Sequence, residues 1–217
     1  MEDFLLINRL SEEVEYFSLF FLLSIIPVLL ITMTTFVRNV IVFSVLRHAL
    51  GLQQSPPNLV IIILSLMITL FTMQSVFEKS YDSGIAPYLK DELAIEEAIP
   101  ESWAPFRTFM LAQVNERDLH LMYEVGQRDY PEDIEQVTWK ELIPAFVLSE
   151  LARAFKMAFL IYLPFLLIDL VVAAVLTSLG MIMVPPITIS LPIKLMLFVV
   201  IHGWSLIFEV LIASTQG

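Results

Sequence analysis

The 217-residue chain contains no cysteine, only six glycines, and charged side chains at just 16% of its positions. Without cysteine there can be no disulfide framework, zinc ribbon, iron–sulfur ligation or thiol chemistry. The glycines are scattered and fall in no GxG, GxxxxGK[ST] or GxxxG pattern, which removes a phosphate-cradling loop and a glycine dimerisation face. Basic residues are scarce too, twelve against 23 acids for a formal net charge of −11. No Lys/Arg cluster can therefore release counterions from a nucleic acid, and no nucleic-acid partner is expected. His48, His120 and His202 lie far apart without metal-ligand spacing, so neither a metal nor a cofactor is expected. Catalysis is not expected either. There is no GxSG-like elbow, Asp169 is a lone aspartate in apolar sequence, and Ser149 and Lys156 stand two helical turns apart, too far for a Ser/Lys dyad.

What the chain does have is apolar surface. Hydrophobic residues make up 58%, against about 45–50% in soluble domains, and the excess has to be buried in lipid or in partner subunits. Charge divides the chain into three regions: 1–77, 78–141 and 142–217. The middle region carries fifteen acids and six bases, a balance of −9, against −2 for everything else. Residues 17–37 and 59–77 are charge-free stretches of 21 and 19 residues, near the roughly 20 needed to cross a bilayer as a helix. A third apolar region (142–149, 157–168, 170–193 and 195–208) is interrupted only by Glu150, Arg153, Lys156, Asp169 and Lys194. Hydropathy alone counts four spans. Arg38 and Arg47 lie between the first two stretches with no acid, which puts that connection in the cytoplasm by the positive-inside tendency and the acidic middle on the outer side. The amino end carries Glu2, Asp3, Glu12, Glu13 and Glu15 against Arg9, so it lacks the basic start of a signal peptide and reads as retained.

No strand alternation and no 20–50-residue repeat is present, which makes the class all-α and membrane-associated. In the acidic middle, Phe106, Phe109, Met110 and Val114, then Leu119, Met122 and Tyr123, recur at helical spacing; with Pro87, Pro100, Pro105 and Pro131 as punctuation, two or three short helices are expected. In the last region Pro164, Pro185, Pro186 and Pro192 accompany Gly180. Proline removes a backbone donor and clashes with the preceding turn, so Gly180 to Pro186 reads as a helix break, either a surface hairpin turn or non-helical backbone enclosed by protein. Asp169 lies twelve residues before Met181 and Lys194 twelve after Ile182. Helical arms rising about 18 Å on each side would set the two charges at one level. Intramembrane ions need partners, so a buried pair within or between subunits is expected, with water-exposed helix ends as the alternative. Glu150, Arg153 and Lys156 form a second cluster, read equally as a local surface pair or an inter-subunit contact.

Several ordered segments resemble the FliP/SctR family, export-apparatus proteins of bacterial flagella and type III secretion injectisomes. Arg47-x-Ala49-Leu50-Gly51 with Gln53-Gln54-x-Pro56-Pro57-Asn58 is similar to the family's first landmark, and Pro144-Ala145-Phe146-x-x-Ser149-Glu150-Leu151-x-x-Ala154-Phe155 to its second. Pro164-Phe165-Leu166-x-x-Asp169, Gly180-Met181-x-Met183, Ser190-Leu191-Pro192-x-Lys194-Leu195 and Gly203-Trp204 continue the pattern. The likeness covers nearly all of the chain after about residue 20, and Phe106-Arg107-x-Phe109-Met110 with Arg117-Asp118-Leu119 favours the flagellar branch over the injectisome branch. It departs from the family in the acidic start, in Ile182 within the methionine run, and in a glycine replaced near Ala158.

The resemblance implies broken helices and hairpins assembled into a conical helical oligomer, a pentamer of this chain joined by FliQ-like and FliR-like subunits. FlhB-like and FlhA-like export components would lie alongside, in the bacterial inner membrane at the flagellar basal body. It also implies that much of the apolar sequence is lifted out of the bilayer plane and that unfolded protein substrates pass through. On that reading Met181, Ile182 and Met183 form a deformable constriction, since methionine is unbranched and adaptable; without it the methionines read as core. Phe106, Phe109 and Met110 would pack between subunits. A small-solute transporter is the alternative from another class, although no inverted repeat supports it.

Overall fold

The computed structural model describes residues 20, 24–25 and 27–216, all of the regular structure being helical among them. The acidic amino end lies outside the described residues. The helices are α1 (Pro27–Met33), α2 (Phe36–Ala49), α3 (Asn58–Thr72), α4 (Gln74–Ser80), α5 (Ala86–Leu89), α6 (Ile95–Gln113), α7 (Glu116–Val125), α8 (Trp139–Ser178), α9 (Ile187–Val200) and α10 (Gly203–Gln216). A π-helical turn, Tyr81–Ile85, joins α4 to α5.

α8 organises the molecule. At 40 residues it is roughly 60 Å long, and it passes through two separate cores. Its first turns, with Leu142, Ala145 and Phe146, close a core with Met110 of α6 and Leu119 and Tyr123 of α7. Further along, Phe165 joins Val42, Phe43 and Leu46 of α2, Ile61 and Ile68 of α3, Phe198 of α9 and Leu211 of α10.

Among the described residues only α8 is long and apolar enough to cross a membrane by itself; the count there rises to four if each bent pair is one span. The two charge-free stretches read as straight spans are both bent. The first turns by 82° between α1 and α2 and the second by 64° between α3 and α4. Threonine explains the first bend. The Thr34 hydroxyl donates to the Leu30 carbonyl and accepts from the Phe36 amide, offering the backbone partners outside the helical ladder. A third bend of 65° separates α9 from α10, where His202 takes a φ of 52°, a left-handed conformation uncommon for a non-glycine residue.

Proline behaves less simply than its position suggests. Pro100 and Pro105 lie inside the 19-residue α6 instead of marking helix ends, and Pro164 and Pro192 lie inside α8 and α9. A lone proline costs one ladder bond, which a well-packed helix can lose. The tandem Pro185-Pro186 does not end α8, which stops at Ser178, but closes the break and opens α9, with Pro186 as its N-cap and the amides of Ile189 and Ser190 donating to the Pro186 carbonyl, at a helix start where a missing backbone donor costs nothing. Gly180 begins that break with a φ of 74°. Met181 N–H donates to Leu176 O at 2.9 Å and Gly180 N–H to Thr177 O at 3.1 Å, the paired bonds of a left-handed helix cap that glycine adopts without steric cost.

Candidate functional site

Three sites follow one another along α8. The first is a buried node around Arg38, whose side chain has no exposed area. Its Nε donates to Glu150 Oε2 at 2.8 Å and its Nη2 to Glu150 Oε1, a two-pronged contact with a carboxylate that is itself 1% exposed. Its Nη1 donates to the Ser214 carbonyl and hydroxyl oxygens, both at 2.8 Å. Arg153 reaches the same place. It donates to the side-chain and backbone oxygens of Gln113 and lies 3.4 Å from Glu150 Oε1. The node thus ties α2, α6, α8 and α10 together.

Two guanidinium groups face one carboxylate here, leaving one positive charge over. Gln113 is the last residue of α6 and Ser214 lies in the last turn of α10. Each helix carboxyl end carries about half a negative charge, so two of them offset the excess. The arginines therefore serve as helix caps as well as ion-pair partners.

The second site closes the hairpin of α8 and α9. Lys194 Nζ donates to Asp169 Oδ2 at 2.6 Å and to the Ala49 carbonyl at the end of α2 at 2.9 Å. Lys194 is 4% exposed and Asp169 36%, so the pair has one open side. Aromatic contacts brace it, with Phe165 against Phe198 and Phe198 edge-on to Trp204. The third site is the tip of the same hairpin. Asp169 is nine residues from the end of α8, about 14 Å, and beyond it Met181, Ile182 and Met183 stand in the open, the last two 85% and 96% exposed.

The remaining residues singled out from the sequence are not brought to these sites. Lys156 is exposed on α8, one turn beyond Arg153. Phe109 packs edge-on to Phe146 and Phe106 to Phe77, both half-buried, and Phe106 borders an apolar groove of about 900 Å³ with Trp103 and Trp139. The expectation of an inter-subunit role is corrected for Met110 and Glu150, which are enclosed within their own chain. Arg38 is a second correction. Read as a charge orienting the membrane, it is fully engaged inside the fold, which leaves Arg47, bonded to the Pro56 carbonyl and Asn58 Oδ1, as the cation of that connection.

Sequence reasoning missed Gln113, Ser214 and the link between α7 and α8. There the buried Ser149 hydroxyl donates to Asp118 Oδ2 at 2.6 Å and accepts from the Asn115 amide at 2.9 Å. The available signal was the rarity of polar residues in apolar helices. Arg38 and Ser149 each interrupt an otherwise greasy face, and a buried polar group requires a partner. Nearby, burial holds the Tyr123 phenol above its ordinary ionisation range.

Residues 19–211 match the FliP family. Among its relatives, "Flagellar biosynthetic protein FliP" of Caulobacter vibrioides is 45% identical over 203 residues, which is 94% of this chain and 76% of that protein. The protein of the same name from Pectobacterium carotovorum is 46% identical over 192 residues, 88% of this chain and 74% of that one. That from Bacillus subtilis is 40% identical over 207 residues, 95% and 94% of the two chains. With a match of this extent, and with its landmark residues at the hairpin and the buried node, the chain belongs to the FliP family.

Proposed function

We propose that the chain is a subunit of the flagellar protein export apparatus in the bacterial inner membrane. Several copies, with FliQ-like and FliR-like partners, form a conical gate that passes unfolded substrates out of the cytoplasm and is required for flagellum assembly. FlhB-like and FlhA-like components act beside it. The observation that carries this reading is the exposed Met181-Ile182-Met183 tip on a hairpin pinned at its base by Lys194 and Asp169, in a chain whose relatives are flagellar biosynthetic proteins.

The physical logic is one of stiffness. The pinned base holds the tip at a fixed height, while side chains with several rotatable bonds can meet across a ring and yield to a passing chain. A closed apolar ring also resists ions by dewetting. Large apolar faces left open on α8 and α9 give the copies surfaces to pack against one another. The acidic residues 78–141 build the outward ring, with Phe106 and Phe109 the aromatics left to meet a neighbour.

Replacing Met181 and Met183 together by alanine is expected to raise the ion conductance of the assembled complex in a planar bilayer while substrate export persists. Conductance equal to that of the unaltered complex would overturn the gate. A strain lacking the chain is expected to secrete no flagellar substrate, and undiminished secretion would overturn the export role.

A further inference from the structure

Charge is so sparse in the apolar helices that each instance can be followed to its partner. Arg38, Glu150 and Arg153 satisfy one another, as do Asp169 and Lys194. Arg47 is held by the Pro56 carbonyl and Asn58 Oδ1, and outside residues 78–141 two charges are then left among the described residues: Lys156 on α8 and Glu209 on α10, both exposed and neither engaged in an ion pair. Each stands two positions from two buried residues, Lys156 between Ala154 and Ala158, Glu209 between Ile207 and Leu211. At about 100° per residue that spacing turns both charges away from the core. Exposed apolar side chains flank both, Phe155 and Phe159 beside Lys156, Leu206 and Val210 beside Glu209. An ion set in such a surface is costly in lipid and in an apolar interface unless it meets its opposite.

Their heights agree. Arg38 bonds to Glu150 and to Ser214, which fixes a common level for α2, α8 and α10. From that level α8 runs in the direction of α2, because Asp169 meets through Lys194 the carbonyl of Ala49. α10 runs the opposite way, since Phe208 lies against Phe43 at 5.8 Å. Lys156, six residues beyond Glu150, and Glu209, five residues before Ser214, are therefore displaced to the same side of that level by about 9 Å and 7.5 Å.

We infer that Lys156 of one copy pairs with Glu209 of the next. An unpartnered base and an unpartnered acid at one height on outward faces are what a head-to-tail contact between identical chains needs, and such a contact repeated by rotation sets successive copies around a common axis, as a ring or a helical turn. Apolar neighbours around both charges exclude water from the contact and give it direction. This rests on the assembly of several copies argued above and adds the residues that set their register.

The chain's lack of cysteine makes the test clean. Lys156→Cys and Glu209→Cys chains carrying different tags are co-expressed with the remaining apparatus and treated with a short bismaleimide in the intact complex. The expected product is a covalent dimer bearing both tags, absent when either variant is present alone. Independently, K156E or E209K should each reduce export by about tenfold or more, and the K156E/E209K exchange should restore most of it. A complex of normal size that yields no mixed-tag dimer overturns the pair while leaving the assembly standing. An unaltered chain that enters the purified complex as a single copy overturns the assembly reading and the pair with it.

Discussion

In the acidic region Arg128 meets Glu141 with half of the arginine side chain in the open, and His120 lies 3.8 Å from a Glu116 that is largely exposed. In the apolar helices Arg38 meets Glu150, and Lys194 meets Asp169, with the cation buried in both cases. The region with fifteen acids and six bases therefore leaves the cation of its ion pair half in water even where the acid, Glu141, is buried, whereas Arg38 and Lys194 of the apolar helices are themselves enclosed. Water accounts for the difference. A solvated ion gains little from a partner, while one enclosed by apolar residues is tolerated only when paired and hydrogen-bonded. Helix contacts in the two regions differ accordingly: the apolar helices are registered by ion pairs, the acidic ones by close approach and hydroxyls.

The sharpest way to break this contrast is Glu150→Ala. It leaves two guanidinium groups facing only uncharged oxygens, and breaking one side of a buried pair typically costs about 3–5 kcal/mol. The variant is expected to melt far below the unaltered chain in detergent, or to fail to accumulate in the membrane; a midpoint within a few degrees would refute the role assigned to the node. A smaller loss is expected from Lys194→Met, of about 1–3 kcal/mol, because the stranded Asp169 keeps an open side. Thermal unfolding should rank it below Glu150→Ala, and the reverse order would mean that exposure does not govern the two pairs.

For the acidic region the corresponding probe is Gly84→Ala. A methyl group there would lie 2.5 Å from the Ala98 carbonyl oxygen and 2.6 Å from the Ser102 amide nitrogen, at the crossing where Ser80 and Ser83 donate to the carbonyls of Ser102 and Glu101. Backbone atoms cannot swing aside as a side chain can, so overpacking of about 1–3 kcal/mol is expected. Loss of protease resistance confined to residues 78–113 would register it; an unchanged digestion pattern would remove close approach as the device holding α6.

How far these features were legible in the sequence follows the range of the forces behind them. The break at Gly180 to Pro186 is local chemistry, a left-handed glycine and tandem prolines, and it reads directly. So does the common level of Asp169 and Lys194, because two helical arms of similar length fold back on one another. The bends at Thr34 and Met73 were not legible. A threonine that leaves the helical ladder looks the same in sequence as one that stays in it, and Ser65 and Thr69 bond back to the carbonyls of Ile61 and Ser65 within an unbroken helix. Arg38 was misread because its partners, Glu150 at 112 residues' separation and Ser214 at 176, come together only in tertiary packing. The continuous α6 and α8 were hidden for the opposite reason, since packing overrode the propensity of four internal prolines.

The half-open pair of the acidic region should give a smaller effect. Arg128→Ala strands a Glu141 that is itself buried, but the lost guanidinium was half in water and the bond from the Thr138 hydroxyl remains, so a change of about 1 kcal/mol is expected, shrinking as salt is raised. Smallest at neutral pH is the contribution of Tyr123, which is nil there because the phenol is neutral whether the chain is folded or not. Burial, reinforced by the nearby negative charge of Glu141, raises its ionisation above the ordinary range. The unfolded chain then releases this proton first as pH climbs, near the tyrosine value of about 10, and the folded chain only at higher pH. Linkage makes stability fall with rising pH in that interval and leaves it unaffected below. Tyr123→Phe should remove that part of the alkaline slope in unfolding experiments between neutral and strongly alkaline pH. An identical slope in the two proteins would mean that the joint of α7 and α8 admits water, and that the acidic region is solvated to its core as well as at its surface.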